Sequence, residues 1–289
     1  MLEGSMVALV TPFRDGEVDW KTLDALVDLH LDAGTDAIVP CGTTGESPTV
    51  THEENDAVVA AVVRRVKGSV PVIAGTGSNS TAEALTMTRH ARENGAAGSL
   101  LVVPYYNKPT QEGLYQHFSA IARAVDFSHV LYNIPGRCSV EMSTETIVRL
   151  RESHSNIIAV KHATGSMDGA SALLGTSDIA VISGDDSMTL PLMSIGGVGV
   201  ISVLANIVPK DVKAMTDAAL AGEWDTARKW HHEMFRLAKG LLSLEVNPIP
   251  IKTAMAARGM LHDEFRLPLC PMQPANRDKL GAILDDYGV

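Results

Sequence analysis

The amino-acid sequence predicts an α/β fold, a (β/α)8 TIM barrel with a C-terminal helical extension. Three observations carry this reading. Eight short apolar runs alternate with helical patterns at intervals of about 20–35 residues, as in a closed ring of parallel strands. No Gly-x-Gly-x-x-Gly turn follows the first run, so nothing points to an open dinucleotide-binding sheet. From Trp224 onward the strand pattern stops and three helix-like stretches follow. The implied division is a barrel over residues 1–223 and a helical extension over 224–289.

Each element has a local reason. Met6-Val7-Ala8-Leu9-Val10 is an apolar run halted by Thr11-Pro12 and reads as the first strand. From about Trp20 to Ala33 the residues Leu23, Leu26, Val27, Leu29 and Leu31 give a helical pattern, and Gly34 ends it. Ala37 to Cys41 is strand two, its hydrogen-bonded part shortened by Pro40. Thr51 and Glu54 stand in capping-box spacing at the head of a helix that reaches about Val66. Val70 to Ala74 is strand three, and the next helix spans Thr81 to Asn94 before Gly95. Ser99 to Val103, His129 to Tyr132 and Ile157 to Lys161 are strands four to six, separated by helices over Glu112 to Ala124 and Ser143 to Arg151. Strand seven is Ile179 to Ile182, followed by a helix from about Ser187 to Ile195. Gly199 to Val203 is strand eight, and the last barrel helix begins near Pro209. The extension's helices are expected near 224–244, 248–259 and 274–287, with Pro248 and Pro250 breaking the first joint.

Composition narrows the function. The apolar content of 45% is ample for a core. The net charge of −10, from 24 basic and 34 acidic residues, and the lack of any basic run argue against nucleic acid. Small-molecule chemistry is the better expectation. Cys41, Cys138 and Cys270 are widely spaced and odd in number, so they suggest neither a disulfide framework nor a zinc pattern. That fits a reducing cytoplasm. No signal-peptide pattern opens the chain and no apolar stretch is long enough to span a bilayer, so no membrane partner is expected.

In barrels of this kind the active site lies at the C-terminal ends of the strands. The stretch Asn156-Ile157-Ile158-Ala159-Val160-Lys161-His162-Ala163-Thr164-Gly165 delivers a lysine to that end after four apolar residues. Burying an ammonium lowers its pKa and frees the amine as a nucleophile for carbonyl carbons. A lysine there can also snorkel to solvent. Other strand ends contribute Gly42-Thr43-Thr44-Gly45, Tyr105-Tyr106, Tyr132, Arg137 and Gly184-Asp185-Asp186. The Gly-Thr-Thr-Gly stretch is either a tight turn or a cradle for a substrate carboxylate. Arg137 is either solvated or a bidentate carboxylate clamp. Three of the five tyrosines fall at strand ends of one face, in a chain that is only 4% aromatic. Asp185-Asp186 reads as a helix cap rather than a metal pair, and no metal is expected. Ser194-Ile195-Gly196-Gly197-Val198-Gly199 precedes its strand and reads as close helix–strand packing rather than a phosphate cradle.

Taken together these motifs resemble the dihydrodipicolinate synthase family of pyruvate-dependent Schiff-base aldolases. The resemblance runs nearly end to end: Val10-Thr11-Pro12-Phe13, Gly42 to Ser47, Ala74-Gly75-Thr76-Gly77, Pro104 to Pro109, Gln111 to Tyr115, Tyr132 to Arg137, Ser183 to Asp186 and Asn247-Pro248-Ile249-Pro250. It implies that Lys161 forms a Schiff base with pyruvate and that the resulting enamine adds to L-aspartate 4-semialdehyde. It also implies that Tyr132, Thr43 and Tyr106 relay protons, Tyr106 from the partner subunit. Thr44 would hold the pyruvate carboxylate, Arg137 the semialdehyde carboxylate, and Gly184 and the Ile201 main chain would line the pocket. No cofactor is implied, because the lysine is itself the electron sink. A homotetramer, a dimer of dimers, is implied.

Two departures from the family pattern stand out. His162 replaces a common glutamate, and as the neighbour of an inward-pointing lysine it is expected to face the helix layer. At the allosteric lysine cleft the matching residues are Ser47, Pro48, His52, Asn55, Asn79, Glu83 and Tyr105. Asn55 stands where a second histidine often occurs and Pro48 replaces a small residue, so weak inhibition is expected. The competing readings are another pyruvate-dependent class I aldolase, acting on a sialic acid or a 2-keto-3-deoxy sugar acid, and a non-catalytic keto-acid-binding barrel.

Overall fold

Alternation along the strands decides the architecture. In the computed structural model, which describes residues 2–289, eight parallel strands form one sheet: β1 (Gly4–Ala8), β2 (Ala37–Val39), β3 (Ile73–Gly75), β4 (Gly98–Val102), β5 (Ser128–Asn133), β6 (Ile157–His162), β7 (Ala180–Ser183) and β8 (Gly199–Ser202). β8 returns to pair with β1, and Ile38 bridges Val72 where β2 meets β3. The sheet is thus rolled into a barrel, the predicted fold. Met6, Ala8, Ala37, Val39, Ile73, Leu100, Val130, Tyr132, Ala159, Ile182 and Ile201 fill its interior. The residues between them, among them Val7, Ile38, Leu101, Leu131, Val160, Val181 and Val200, pack outward under the helices. A period of two therefore buries both faces, and the strands read as unbroken apolar runs.

The helices α1 (Trp20–Asp32), α2 (His52–Val66), α3 (Thr81–Glu93), α4 (Gln111–Ala124), α5 (Thr144–Ser153), α6 (Met167–Thr176), α7 (Thr189–Ser194) and α8 (Pro209–Leu220) follow the strands in turn. The capping box at Thr51 and Glu54 forms as the spacing predicts. On α4, Leu114, Phe118 and Ile121 are fully buried, each contributing about 1.5–3 kcal/mol from lost water contact. Gly199, at φ +152, explains the glycine run before β8: a Cβ there would lie 2.2 Å from the Gly4 carbonyl oxygen. That contact is strand on strand; the expected helix–strand packing is at Gly197, where a Cβ would lie 2.7 Å from Leu192 Cγ of α7.

A helix and a hairpin are among the elements that escape the sequence reading. α6 has only Ala170 and Leu173 buried, and its two glycines hide so short an apolar stripe. A small hairpin pairs Phe13–Arg14 with Glu17–Val18 through Asp15-Gly16, both at positive φ, the Asp-Gly signal of a tight hairpin turn.

After residue 223 come α9 (Trp224–Ser243), α10 (Ile249–Ala257) and α11 (Pro274–Tyr287). α9 packs along α8 and α11. α10 is buried from Ile249 through Met255, and that stretch includes Lys252. It comes in beneath the turn that follows β2.

Candidate active site

Lys161 lies on the same alternation as Ala159 and so enters the barrel interior. Its Nζ sits 4.3 Å from the centroid of the Tyr132 ring, its partner in the β5–β6 ladder. The side chain does not snorkel, for only 5% of the residue is exposed. Burial above all, helped by the charge of Arg137 and opposed by Asp186, lowers its pKa from 10.5 to about 8. Roughly a tenth of the amine is then unprotonated at pH 7, against well under a thousandth for a free lysine. The neighbouring His162 faces outward: its Nε2 lies 3.2 Å from Thr164 Oγ1 and close under Gly169 of α6.

Tyr132 is pushed up to about 12 by burial, moderated by Arg137 and the Thr43 hydroxyl. Its phenol stays protonated and can lend that proton at neutral pH. Thr43 and Thr44 stand in the turn after β2, between Cys41 and Glu46, both at φ 55. The turn is tied by Ser47 N–H to Gly42 O (3.2 Å), Glu46 N–H to Thr43 O (3.1 Å) and the Thr11 hydroxyl to Gly45 O (2.7 Å). Thr44 is 2% exposed and accepts from Asn247 Nδ2 at 3.1 Å. Arg137, on the one-turn helix Pro135–Cys138, donates from Nη2 to the Asn247 carbonyl at 2.8 Å. Beneath it, Asn133 braces the loop through both Met142 backbone groups.

These side chains meet around one cavity of about 550 Å³, lined by Thr43, Thr44, Tyr132, Arg137, Lys161 and Gly184 together with Asp185, Val203 and Asn247. Gly184 leaves room for the lysine stem, since a Cβ there would lie 3.1 Å from Lys161 Cγ and Cε and 2.7 Å from Ala163 Cβ. Ile201 packs in the barrel interior, and Val203 is the lining residue beyond β8. Tyr106 stands outside this cavity, 90% exposed and at φ 73.

Asp185 caps a 3-10 turn through Ser187, as expected. Asp186 does something else. It is buried, accepts from Ser202 Oγ, Val203 N and Leu204 N, and is the negative charge that opposes the loss of the Lys161 proton. Asn247 and Val203 line the site without having been assigned to it from the sequence, and Asp186, read there as part of a helix cap, is instead a buried charge near Lys161. Only the Asn247-Pro248-Ile249-Pro250 motif hinted at Asn247.

A second cavity of about 340 Å³ adjoins the first and shares Thr43 and Arg137 with it. It gathers Ser47, Pro48, His52, Glu83 and Tyr105, with His52 Nε2 2.9 Å from Glu83 and the Ser78 hydroxyl also on that carboxylate. Asn79 is at its edge, donating to the Tyr105 carbonyl at 3.1 Å. Asn55 is not part of it: its side chain is buried against β3, with Nδ2 on the Gly75 carbonyl at 3.3 Å. Among the described residues no three His, Cys, Asp or Glu side chains converge as metal ligands, and no helix is long and apolar enough to cross a membrane.

A model of the dihydrodipicolinate synthetase family matches residues 1–287. The 4-hydroxy-tetrahydrodipicolinate synthase of Geotalea daltonii is 53% identical over 289 residues, 99% of each chain. Among solved structures, the dihydrodipicolinate synthase of Aquifex aeolicus superposes with a TM-score of 0.97 at 50% identity, covering 99% of this chain and 98% of that one. The enzyme of Acinetobacter baumannii, complexed with pyruvate, gives 0.97 at 44% identity over the whole of both chains.

Proposed function

The chain belongs to the dihydrodipicolinate synthetase family, and on that premise we propose how its own residues divide the chemistry. The activity is condensation of pyruvate with L-aspartate 4-semialdehyde through a lysine Schiff base, the first committed step of the diaminopimelate and lysine pathway. The protein is a lyase of the class I pyruvate aldolases.

In this reading the unprotonated Lys161 amine attacks the keto carbon of pyruvate, and water leaves to give an iminium. The iminium draws electrons from the methyl carbon, whose proton departs to leave an enamine. The enamine carbon bonds to the aldehyde carbon of the semialdehyde. The amino group of that substrate then attacks the imine carbon, closing the ring and releasing Lys161. Tyr132, with Thr43 and Tyr106, moves the protons. Thr44 holds the pyruvate carboxylate and Arg137 the semialdehyde carboxylate. The observation that carries this assignment is the buried amine of Lys161 against the Tyr132 ring, at the floor of a cavity with Thr44 and Arg137 on its walls.

Borohydride reduction with pyruvate, followed by peptide mass spectrometry, tests it. The adduct is expected on Lys161, with turnover when aspartate semialdehyde is added and product is followed through a coupled reductase. An adduct without turnover would move the assignment to an aldolase of another aldehyde, and no adduct would leave a keto-acid-binding barrel.

We also propose a homotetramer built as a dimer of dimers: the exposed Tyr106 supports at least a dimer in which it reaches a partner's site, and the family resemblance implies the pairing of two such dimers. Residues 1–223 serve as the barrel and 224–289 as the extension, and the cytoplasm is the compartment, on the three free cysteines. L-lysine inhibits weakly, since Asn55 is turned away from the second cavity. Half-inhibition below millimolar L-lysine would contradict this.

A further inference from the structure

We propose that Asn247 is a positioning residue for pyruvate: its side-chain amide donates to the Thr44 hydroxyl oxygen and so turns the hydroxyl proton toward the cavity. The proposal rests on the reading above, in which Thr44 holds the pyruvate carboxylate.

A hydroxyl has one proton and two lone pairs, whereas an amide NH2 only donates. With Asn247 Nδ2 at 3.1 Å on Thr44 Oγ1, the hydroxyl is an acceptor on that side and its proton is free for another partner. Thr44 lines the cavity, and a carboxylate there is the natural acceptor. The orientation of the amide follows from its burial. Asn247 is 9% exposed, and its Oδ1 is a buried oxygen with no partner in the protein. Turning the amide over would instead strand a buried NH2 with two protons, the costlier arrangement because unpartnered donors are rarer than under-satisfied carbonyls.

Asn247 is also placed firmly. Its carbonyl takes the Arg137 hydrogen bond, so one residue touches both side chains assigned to substrate carboxylates. Five positions on, Lys252 pairs with Glu46 at the end of the same Thr43-Thr44 turn, both side chains wholly buried. The extension therefore carries Asn247 to a fixed place beside Thr44.

The test is the half-saturating pyruvate concentration for borohydride trapping, which needs no second substrate, measured with Asn247→Ala, Asn247→Asp and Thr44→Val. Losing one neutral hydrogen bond raises it about fivefold in Asn247→Ala. Asn247→Asp raises it about thirtyfold or more at neutral pH, because the new carboxylate accepts the Thr44 proton and faces the carboxylate of pyruvate. As pH falls the aspartate protonates, can donate again, and the gap to Asn247→Ala closes. The charged and titratable groups around this position, Arg137, Lys161, Asp185 and Tyr132, are present in both variants; the new carboxylate's attraction to Arg137 and Lys161 lowers its own pKa and so moves the closing of the gap to lower pH without removing it. Trapping at saturating pyruvate changes little. If Asn247→Asp equals Asn247→Ala at every pH, residue 247 does not set the direction of the Thr44 proton and the proposal is overturned; if Asn247→Asp binds pyruvate as the wild type does, Thr44 gives its proton to residue 247 and the proposal is overturned as well. If Asn247→Asp does not fold, the double variant Asn247→Ala/Thr44→Val decides: non-additive costs support the proposal and additive costs overturn it. A Thr44→Val variant that binds pyruvate normally would sink the underlying reading instead.

Discussion

Lys252 and Glu46 form an ion pair with both side chains wholly shielded from water. One comes from α10 in the extension, the other closes the turn that carries Thr43 and Thr44. The Lys252 Nζ also lies 4.4 Å from the Phe13 ring and 4.9 Å from that of Phe265, and the second Glu46 oxygen accepts from Arg266 N at 3.3 Å. Removing one partner leaves a bare buried charge, so Lys252→Met or Glu46→Gln should each cost roughly 3–5 kcal/mol in urea unfolding. The double variant Glu46→Leu/Lys252→Met should recover much of that loss while still binding pyruvate poorly, because the turn has lost its tether. A double variant as unstable as the singles would contradict this.

The pair also marks the limit of what the chain discloses. Lys161 is legible in the sequence because four apolar residues before it fix its strand, and strand parity does the rest. Thr43, Thr44, Tyr132 and Arg137 are legible because strand ends share one mouth. Lys252 and Glu46 are 206 positions apart, and each alone has an ordinary local reading. Asn55 fails for the opposite reason. His52, three positions earlier, lines the second cavity, but Asn55 on the same helix points at β3, and only the helix's rotation decides that.

Lys161 ties stability to pH with a definite sign. Its pKa falls from 10.5 to about 8 on folding, so between those values the unfolded chain binds more protons. Stability therefore rises with pH across that window, and the deficit is complete below about pH 8. At about 1.4 kcal/mol per pH unit, Lys161→Met should gain roughly 3 kcal/mol at pH 7 and less as pH passes 8. Denaturant unfolding at pH 7 and 9.5 measures this. The rate of adduct formation should rise through an apparent pKa near 8, and a flat profile from pH 6 to 9 would rule out the buried amine as nucleophile.

Arg137→Ala separates the two substrates. Losing a charge-assisted clamp should raise the KM for aspartate semialdehyde about ten- to a hundredfold, with the pyruvate adduct still trapped. The positive charge of Arg137 helps to lower the Lys161 pKa, so the pH profile of trapping should also move upward. Equal losses for both substrates would mean that Arg137 supports the site without contacting the semialdehyde.

Tyr132→Phe keeps the ring beside Lys161 and removes the proton. General acid–base groups contribute about 10²–10⁴-fold, so kcat should fall by about that much with KM for pyruvate nearly unchanged. A loss under tenfold would remove Tyr132 from the relay.

Tyr106 offers a test of shared sites. It is 90% exposed and held at φ 73, an uncommon backbone for an aromatic residue that needs surrounding structure to hold it. If its hydroxyl completes the relay of a two-fold partner, Tyr106→Phe and Lys161→Ala should each be nearly inactive alone and should complement when mixed. In a mixed dimer the subunit that keeps Lys161 receives an intact Tyr106 from its partner, while the other site lacks both groups. After statistical exchange, half of the dimers are mixed and one site in each is whole, so about a quarter of wild-type activity should return. No recovery after confirmed subunit exchange would confine Tyr106 to its own subunit, and would remove the reason for requiring a dimer at the active site.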